Sequence, residues 1–198
     1  MHIDKSWFRR DLPQILMIIL GVTAVRSSFA DHYYVPSGSM EYTLQAGDRV
    51  LVSKLAYGLR IPFTQFELLG GDAVARGDIV IFDSPRDGTR LIKRIVGIGG
   101  DRVSLVDGLL TVDGEPLLAD TGRVEVFGEH IAALNLHDGG GPDIVDATIP
   151  DGMLLAVGDH RGSSLDGRYF GLISETSVYG KALGIYRRKG EGFVWRPL

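Results

Sequence analysis

Apolar positions are arranged in two different ways along this chain. Residues 12–25 carry no charge, with Ile15-Leu16-Met17-Ile18-Ile19-Leu20 at their centre and Lys5, Arg9 and Arg10 ahead of them. The window extends over residues 12–30 if Arg26 reaches toward lipid head groups, as long cationic side chains near a helix end can do. Nineteen residues at about 1.5 Å each span about 28 Å, close to a hydrocarbon core. The pattern predicts one N-terminal transmembrane helix over residues 12–30. Positive charge before the span places residues 1–11 as a short cytoplasmic N-terminus and residues 31–198 outside the cytoplasm. Ser28-Phe29-Ala30 also has the small-x-small form of a cleavage site. On pattern alone, a removed signal peptide and a buried helix therefore compete with a retained anchor.

After Tyr34 the apolar runs become short and are punctuated by glycine and aspartate. Asp48-Arg49-Val50-Leu51-Val52, Asp78-Ile79-Val80-Ile81-Phe82, Leu91-Ile92-Lys93-Arg94-Ile95-Val96 and Arg102-Val103-Ser104-Leu105-Val106 read as strands, as does Leu109-Leu110-Thr111-Val112. Asp107-Gly108 between the last two is a hairpin turn. Shorter strands are expected at Val124-Glu125-Val126, Ile144-Val145, Leu154-Leu155-Ala156-Val157, Val178-Tyr179-Gly180-Lys181-Ala182 and Gly184-Ile185-Tyr186. Helical periodicity is missing beyond the anchor. The fold class is mainly β: an antiparallel domain, Gly-rich at its turns, preceded by one helix. His137-Asp138-Gly139-Gly140-Gly141-Pro142 reads as an exposed loop.

Composition narrows the function. At 198 residues the chain suits one domain plus an anchor. It has no cysteine, which excludes disulfides, thiolate metal sites and a cysteine nucleophile. Its five histidines show no metal-ligand spacing, so no metal site is expected. The net charge of -4, with no basic face, argues against a nucleic-acid partner.

Three polar segments carry candidate chemistry. In Val35-Pro36-Ser37-Gly38-Ser39-Met40, a proline fixes the approach to a small, hydroxyl-rich turn. A nucleophilic serine needs such an exposed turn with donors nearby, although Ser-Gly-Ser is also common in plain loops. Lys93 lies between Leu91 and Ile95 on one strand face. Burial there would disfavour its ammonium form and make it a base, whereas a lysine on an exposed edge strand would only guard that edge. Gly158-Asp159-His160-Arg161-Gly162-Ser163-Ser164-Leu165-Asp166-Gly167-Arg168 can form a charge-assisted network, and Ser163 or Ser164 could orient an amine. An ordinary polar turn explains it equally well.

Taken in order, these segments resemble the type I signal peptidase family. Pro36-Ser37-Gly38-Ser39-Met40 is similar to its serine box, continued by Thr43-Leu44, Gly47-Asp48 and Lys54-Leu55-Ala56-Tyr57-Gly58. Gly77-Asp78-Ile79-Val80-Ile81-Phe82 resembles the next box. Ile92-Lys93-Arg94-Ile95-Val96-Gly97 with Gly100-Asp101 resembles the lysine box. Gly158-Asp159-His160-Arg161 with Ser164, Asp166 and Arg168 resembles the last. Residues 115–152 carry no motif. The resemblance implies a two-sheet catalytic domain and a Ser-Lys dyad, with Ser39 as nucleophile and Lys93 as general base. It implies an oxyanion hole from the Ser39 amide and the Ser37 hydroxyl, and Ser164 holding the Lys93 amine. Val35, Pro36, Met40 and Ile92 would line small substrate pockets. Arg94, Asp159, Arg161, Asp166 and Arg168 would be structural supports.

The same resemblance implies secretory precursors cleaved after Ala-x-Ala-like sites, no metal or organic cofactor, and a monomer. It also implies an uncleaved single-pass anchor in the cytoplasmic (inner) membrane, with an apolar patch near Ser39 resting on the lipid bilayer. The chain departs from the family pattern at Tyr42 and Gly99, where proline is usual, at His160, where asparagine is common, and at Gly167, where serine is usual. The alternatives are a Ser39-His160-Asp166 triad, a pilus or conjugation processing peptidase, and a tethered β-domain that binds signal peptides without cleaving them.

Overall fold

The computed structural model of the chain describes residues 12–18, 30–60, 67–69, 71–119 and 122–198. Residues 12–18 form helix α1, with Leu12, Ile15, Leu16, Met17 and Ile18 exposed. Residues 19–29 of the expected transmembrane span lie outside the described residues. Among the described residues, no helix is long and apolar enough to cross a membrane.

Among the described residues, sixteen strands follow. The first eight are β1 (Ala30–Tyr34), β2 (Arg49–Ser53), β3 (Leu59–Arg60), β4 (Glu67–Leu69), β5 (Ile79–Asp83), β6 (Arg90–Gly97), β7 (Arg102–Val106) and β8 (Leu109–Val112). Then come β9 (Glu115–Pro116), β10 (Val124–Phe127), β11 (His130–Ala133), β12 (Ile144–Thr148), β13 (Met153–Val157), β14 (Ile173–Ser174), β15 (Val178–Arg188) and β16 (Gly192–Pro197). A one-turn helix, α2 (Gly167–Phe170), precedes β14, with the Asp166 side chain accepting from the Arg168 amide at its start. An eight-stranded sheet runs β1-β2-β15-β5-β6-β13-β14, with β16 paired to β15. A four-stranded sheet runs β12-β7-β8-β9, and β10-β11 and β3-β4 are separate ribbons. The ladders are antiparallel. The expected two sheets are the two larger ones, and the two ribbons add to them.

The predicted strands appear with boundaries unchanged or shifted by up to three residues. Two runs expected to be separate merge into the eleven-residue β15, which bulges as it passes from β5 to β2. The β7–β8 hairpin turns at Asp107 (φ 50°) and Gly108 (φ 78°). Two successive positive φ values define the tight turn whose twist matches its strands, and Gly at the second position takes that geometry without a steric penalty.

Three apolar clusters hold the domain. Val35, Met40, Leu44, Val50, Val52, Ile79, Ile81 and Ile92 form one. Val80, Phe82, Ile95, Leu154, Ala156 and Ile173 form a second. A third gathers β7, β8 and β10 against Val96, Leu155 and Val157. β6 contributes to all three, so its residues 92–97 are buried whichever face they are on. The expected alternation along β6 fails for this reason, and Lys93 lies in a central strand instead of at an edge.

Candidate active site

The turn that carries the candidate nucleophile leaves the end of β1. Val35 extends the β1–β2 ladder, its N–H donating to the Asp48 carbonyl and its own carbonyl accepting from Gly47 N–H, both at 2.9 Å. Beyond that fixed point the chain turns through Ser37 to Met40. Glu41 N–H donates to the Gly38 carbonyl at 3.0 Å, and Leu44 N–H to the Met40 carbonyl at 2.8 Å. Met40 and Leu44 are wholly buried and fasten the far side of the turn. Ser39 is half-buried, and among the described residues its backbone N–H has no acceptor.

Lys93 is 2% exposed, between β5 and β13. Its Nζ lies 2.5 Å from Ser39 Oγ. Burial strips water from the ammonium and pushes its pKa down to about 8, although the Asp166 and Asp159 carboxylates act in the opposite direction and Arg168 adds to the fall. A neutral amine at that distance can take the Ser39 proton. Ser37 Oγ lies 3.4 Å from Ser39 Oγ.

Two Arg-carboxylate forks frame the pair. Arg94 donates to Asp159 through Nε at 2.9 Å and Nη2 at 2.8 Å, and to the Gly77 carbonyl through Nη1 at 2.8 Å. Thr43 Oγ1 donates to the same carboxylate at 2.5 Å. Arg168 grips Asp166 through Nε and Nη2, both at 2.8 Å, and reaches the carbonyls of Gly140 and Arg161. Burial alone would raise the Asp166 carboxyl, but the Arg168 guanidinium outweighs it and holds the carboxyl below the usual range. Both carboxylates are therefore occupied by their Arg partners and are not free to exchange protons with a substrate.

Arg161 was expected beside these supports and instead turns away from them. Its guanidinium is wholly buried and forks onto Glu125, at 3.0 Å and 2.5 Å, with the Gly108 carbonyl also accepting from it. Glu125 was given no role by the sequence. Alternation in Val124-Glu125-Val126 suggests an outward glutamate, yet Glu125 is buried and Val126 is exposed. The guanidinium dictates that inversion, because a buried cation needs a bidentate carboxylate opposite it. Asp48 and Arg188 form a similar buried pair beneath the serine turn.

Ser164 departs from expectation. Its Oγ is buried and makes no well-formed hydrogen bond, to Lys93 or to any other group, although it lies near enough to Asp166 to help keep that carboxyl low. It presses instead against Gly158: a Cβ there would sit 2.2 Å from Ser164 Oγ and 2.4 Å from the Ser39 carbonyl. Only glycine allows so close an approach. Among the expected pocket residues, Val35, Met40 and Ile92 are buried together in one cluster, and Pro36 is exposed.

The histidine-based alternative is not assembled. The His160 ring faces Gly38 and Asp138, with no hydrogen bond to Ser39 Oγ, and Asp166 is occupied by Arg168.

Comparison with known proteins gives one consistent result. The family model described as "Signal peptidase, peptidase S26" matches residues 7–187. A probable signal peptidase I-2 of Synechocystis sp. is 30% identical over 186 residues, 90% of this chain and 72% of that protein. Signal peptidase I of Pseudomonas aeruginosa is 30% identical over 209 residues, 92% of this chain and 70% of that protein. A crystal structure of a signal peptidase I from Enterococcus faecalis aligns with a TM-score of 0.43 at 31% identity, over 56% of this chain and 97% of that one.

Proposed function

As a member of the signal peptidase family, peptidase S26, to which this chain belongs, it is a serine endopeptidase that removes signal peptides, and we propose that Ser39 is its nucleophile and Lys93 its general base. The observation that carries this reading is a lysine amine, depressed to about pKa 8 by burial, 2.5 Å from a serine hydroxyl on a turn.

Ser39 Oγ attacks the scissile carbonyl while neutral Lys93 takes its proton. The resulting ammonium then protonates the leaving amine, and an acyl-Ser39 ester remains. The amine, neutral again, activates water to hydrolyse that ester. The Ser39 amide and the Ser37 hydroxyl receive the developing oxyanion. Ser164, whose buried hydroxyl has no hydrogen-bond partner, is the group that would orient the lysine amine once its side chain rotates toward it. Val35, Pro36, Met40 and Ile92 border small side-chain pockets, which suits cleavage after Ala-x-Ala-like sites.

Residues 12–30 act as a retained anchor in the cytoplasmic membrane, with residues 31–198 outside. The exposed apolar side chains of α1 support this. So do Tyr34 and Tyr42 beside the serine turn and Phe193 and Trp195 on β16, which offer apolar surface to a bilayer.

The direct test is cleavage of an Ala-x-Ala signal-peptide substrate by the purified full chain in detergent. Ser39→Ala and Lys93→Met should each lose on the order of 10³-fold in kcat. Retained activity in either variant overturns the assignment.

A further inference from the structure

His160, one of the four residues that depart from the family pattern, grips the nucleophile turn at two points. Its backbone N–H donates to the Ser39 carbonyl at 3.2 Å. Its ring Nδ1 lies 3.3 Å from the Gly38 carbonyl oxygen, with Glu41 Oε2 at 3.7 Å. On the other side of the ring, Nε2 lies 2.9 Å from Asp138 Oδ2. The side chain is 11% exposed.

Each of these ring partners is an acceptor. A neutral imidazole has one N–H and one lone pair, so in that form one of the two contacts would set a lone pair against an oxygen. Only the imidazolium donates both ways. The charged groups facing the ring are Asp138, from the loop after β11, and Glu41, from the serine turn. On the histidine's own segment, Asp159 and Arg161 are turned to Arg94 and Glu125.

The Gly38 carbonyl and the Ser39 N–H belong to one planar peptide unit and point in opposite directions. A donor that fixes the carbonyl therefore aims the N–H. The Asp138 loop is held in turn, because Arg168 reaches the Gly140 carbonyl and His137 N–H donates to Asn135 Oδ1 at 3.0 Å. A rigid chain of contacts thus runs from this loop through the ring to the amide beside Ser39 Oγ.

We propose that His160 is a positioning residue for the oxyanion hole, its ring clamping the Gly38–Ser39 peptide between the Asp138 loop and the substrate side of the turn. The proposal rests on the Ser39–Lys93 reading. It goes beyond it in making orientation of the Ser39 amide depend on a side chain that never touches substrate. Loss of the ring removes its contact with the Gly38 carbonyl and loosens the amide.

The test is kcat and KM of the full chain in detergent, comparing wild type with His160→Ala, His160→Asn and Asp138→Asn. His160→Ala should lose roughly tenfold in kcat, a fraction of the cost of deleting an oxyanion donor outright, with KM within about twofold. His160→Asn supplies an amide donor in the same place. It should recover most of that loss. Asp138→Asn should lower kcat in the same direction as His160→Ala, and the two losses should not add when combined.

An unchanged kcat in His160→Ala would overturn the proposal, as would a His160→Asn that recovers none of the loss. If His160→Ala does not fold, Asp138→Asn carries the test, since Asp138 is 54% exposed and its replacement spares the core. Ser39→Ala and Lys93→Met are run alongside. Activity in either rejects the dyad itself, whereas inactivity in both with an unchanged kcat in His160→Ala rejects only the role of His160.

Discussion

At the scale of the residue, Lys93 is where function opposes stability. The folded state holds its pKa at about 8, below the unfolded value of 10.5. Between those values the unfolded chain binds more protons, so stability rises with pH across that window. Below about 8 the ammonium is buried at a cost of roughly 3 kcal/mol. Lys93→Met should therefore melt higher than wild type at pH 7, and that advantage should shrink as pH rises from about 8 toward 10.5. Thermal unfolding of both proteins across that range checks this, and a variant less stable at pH 7 would refute it. Activity should follow the same proton: wild-type kcat/KM rises through about pH 8, and about a tenth of the amine is neutral at pH 7. The sequence named Ser39 and Lys93 as chemistry-bearing residues. It could not place their atoms 2.5 Å apart, because residues 54 positions distant meet only through sheet pairing.

At the scale of the element, the strands were legible wherever glycine or aspartate closed a β-rich run. The β7–β8 turn at Asp107-Gly108 is the clearest case, since local backbone preference fixes it. β10 shows the opposite. Its sequence alternates as though Glu125 faced water, and the structure buries that glutamate against Arg161 of the 158–168 segment. Removing one partner of a buried pair leaves the other charge uncompensated, which costs about 3–5 kcal/mol. Glu125→Ala should destabilise the domain by about that amount in denaturant unfolding, whereas Glu115→Ala on exposed β9 should change little. Equal effects would remove the case for Arg161–Glu125 as the fastening between the β10–β11 ribbon and the catalytic segment. Nothing in Val124-Glu125-Val126 announces that partner, which comes from a distant loop.

At the scale of the whole molecule, three apolar clusters converge on β6, and that convergence makes the site. A lysine on an edge strand would keep its water and its ordinary pKa, whereas the same lysine between β5 and β13 loses both. The proposed anchor would act at this scale too, because a tether confines an enzyme to the surface where precursors emerge. Deleting residues 1–29 should leave the β-domain folded and move it from the membrane fraction to the soluble fraction. Cleavage of a short soluble peptide should largely survive, while processing of a membrane-inserted precursor should fall. Membrane association that survives the deletion would assign binding to the exposed Phe193 and Trp195 surface instead. The sequence by itself determined the β class, the turn positions, the family and which side chains are candidates for the chemistry, because short-range backbone preference and motif order are local properties. The lysine's pKa, the inward turn of Glu125, the unpaired hydroxyl of Ser164 and the two-sided grip of His160 were decided only by tertiary structure. Each depends on which distant groups exclude water or supply an acceptor, and no local pattern encodes that.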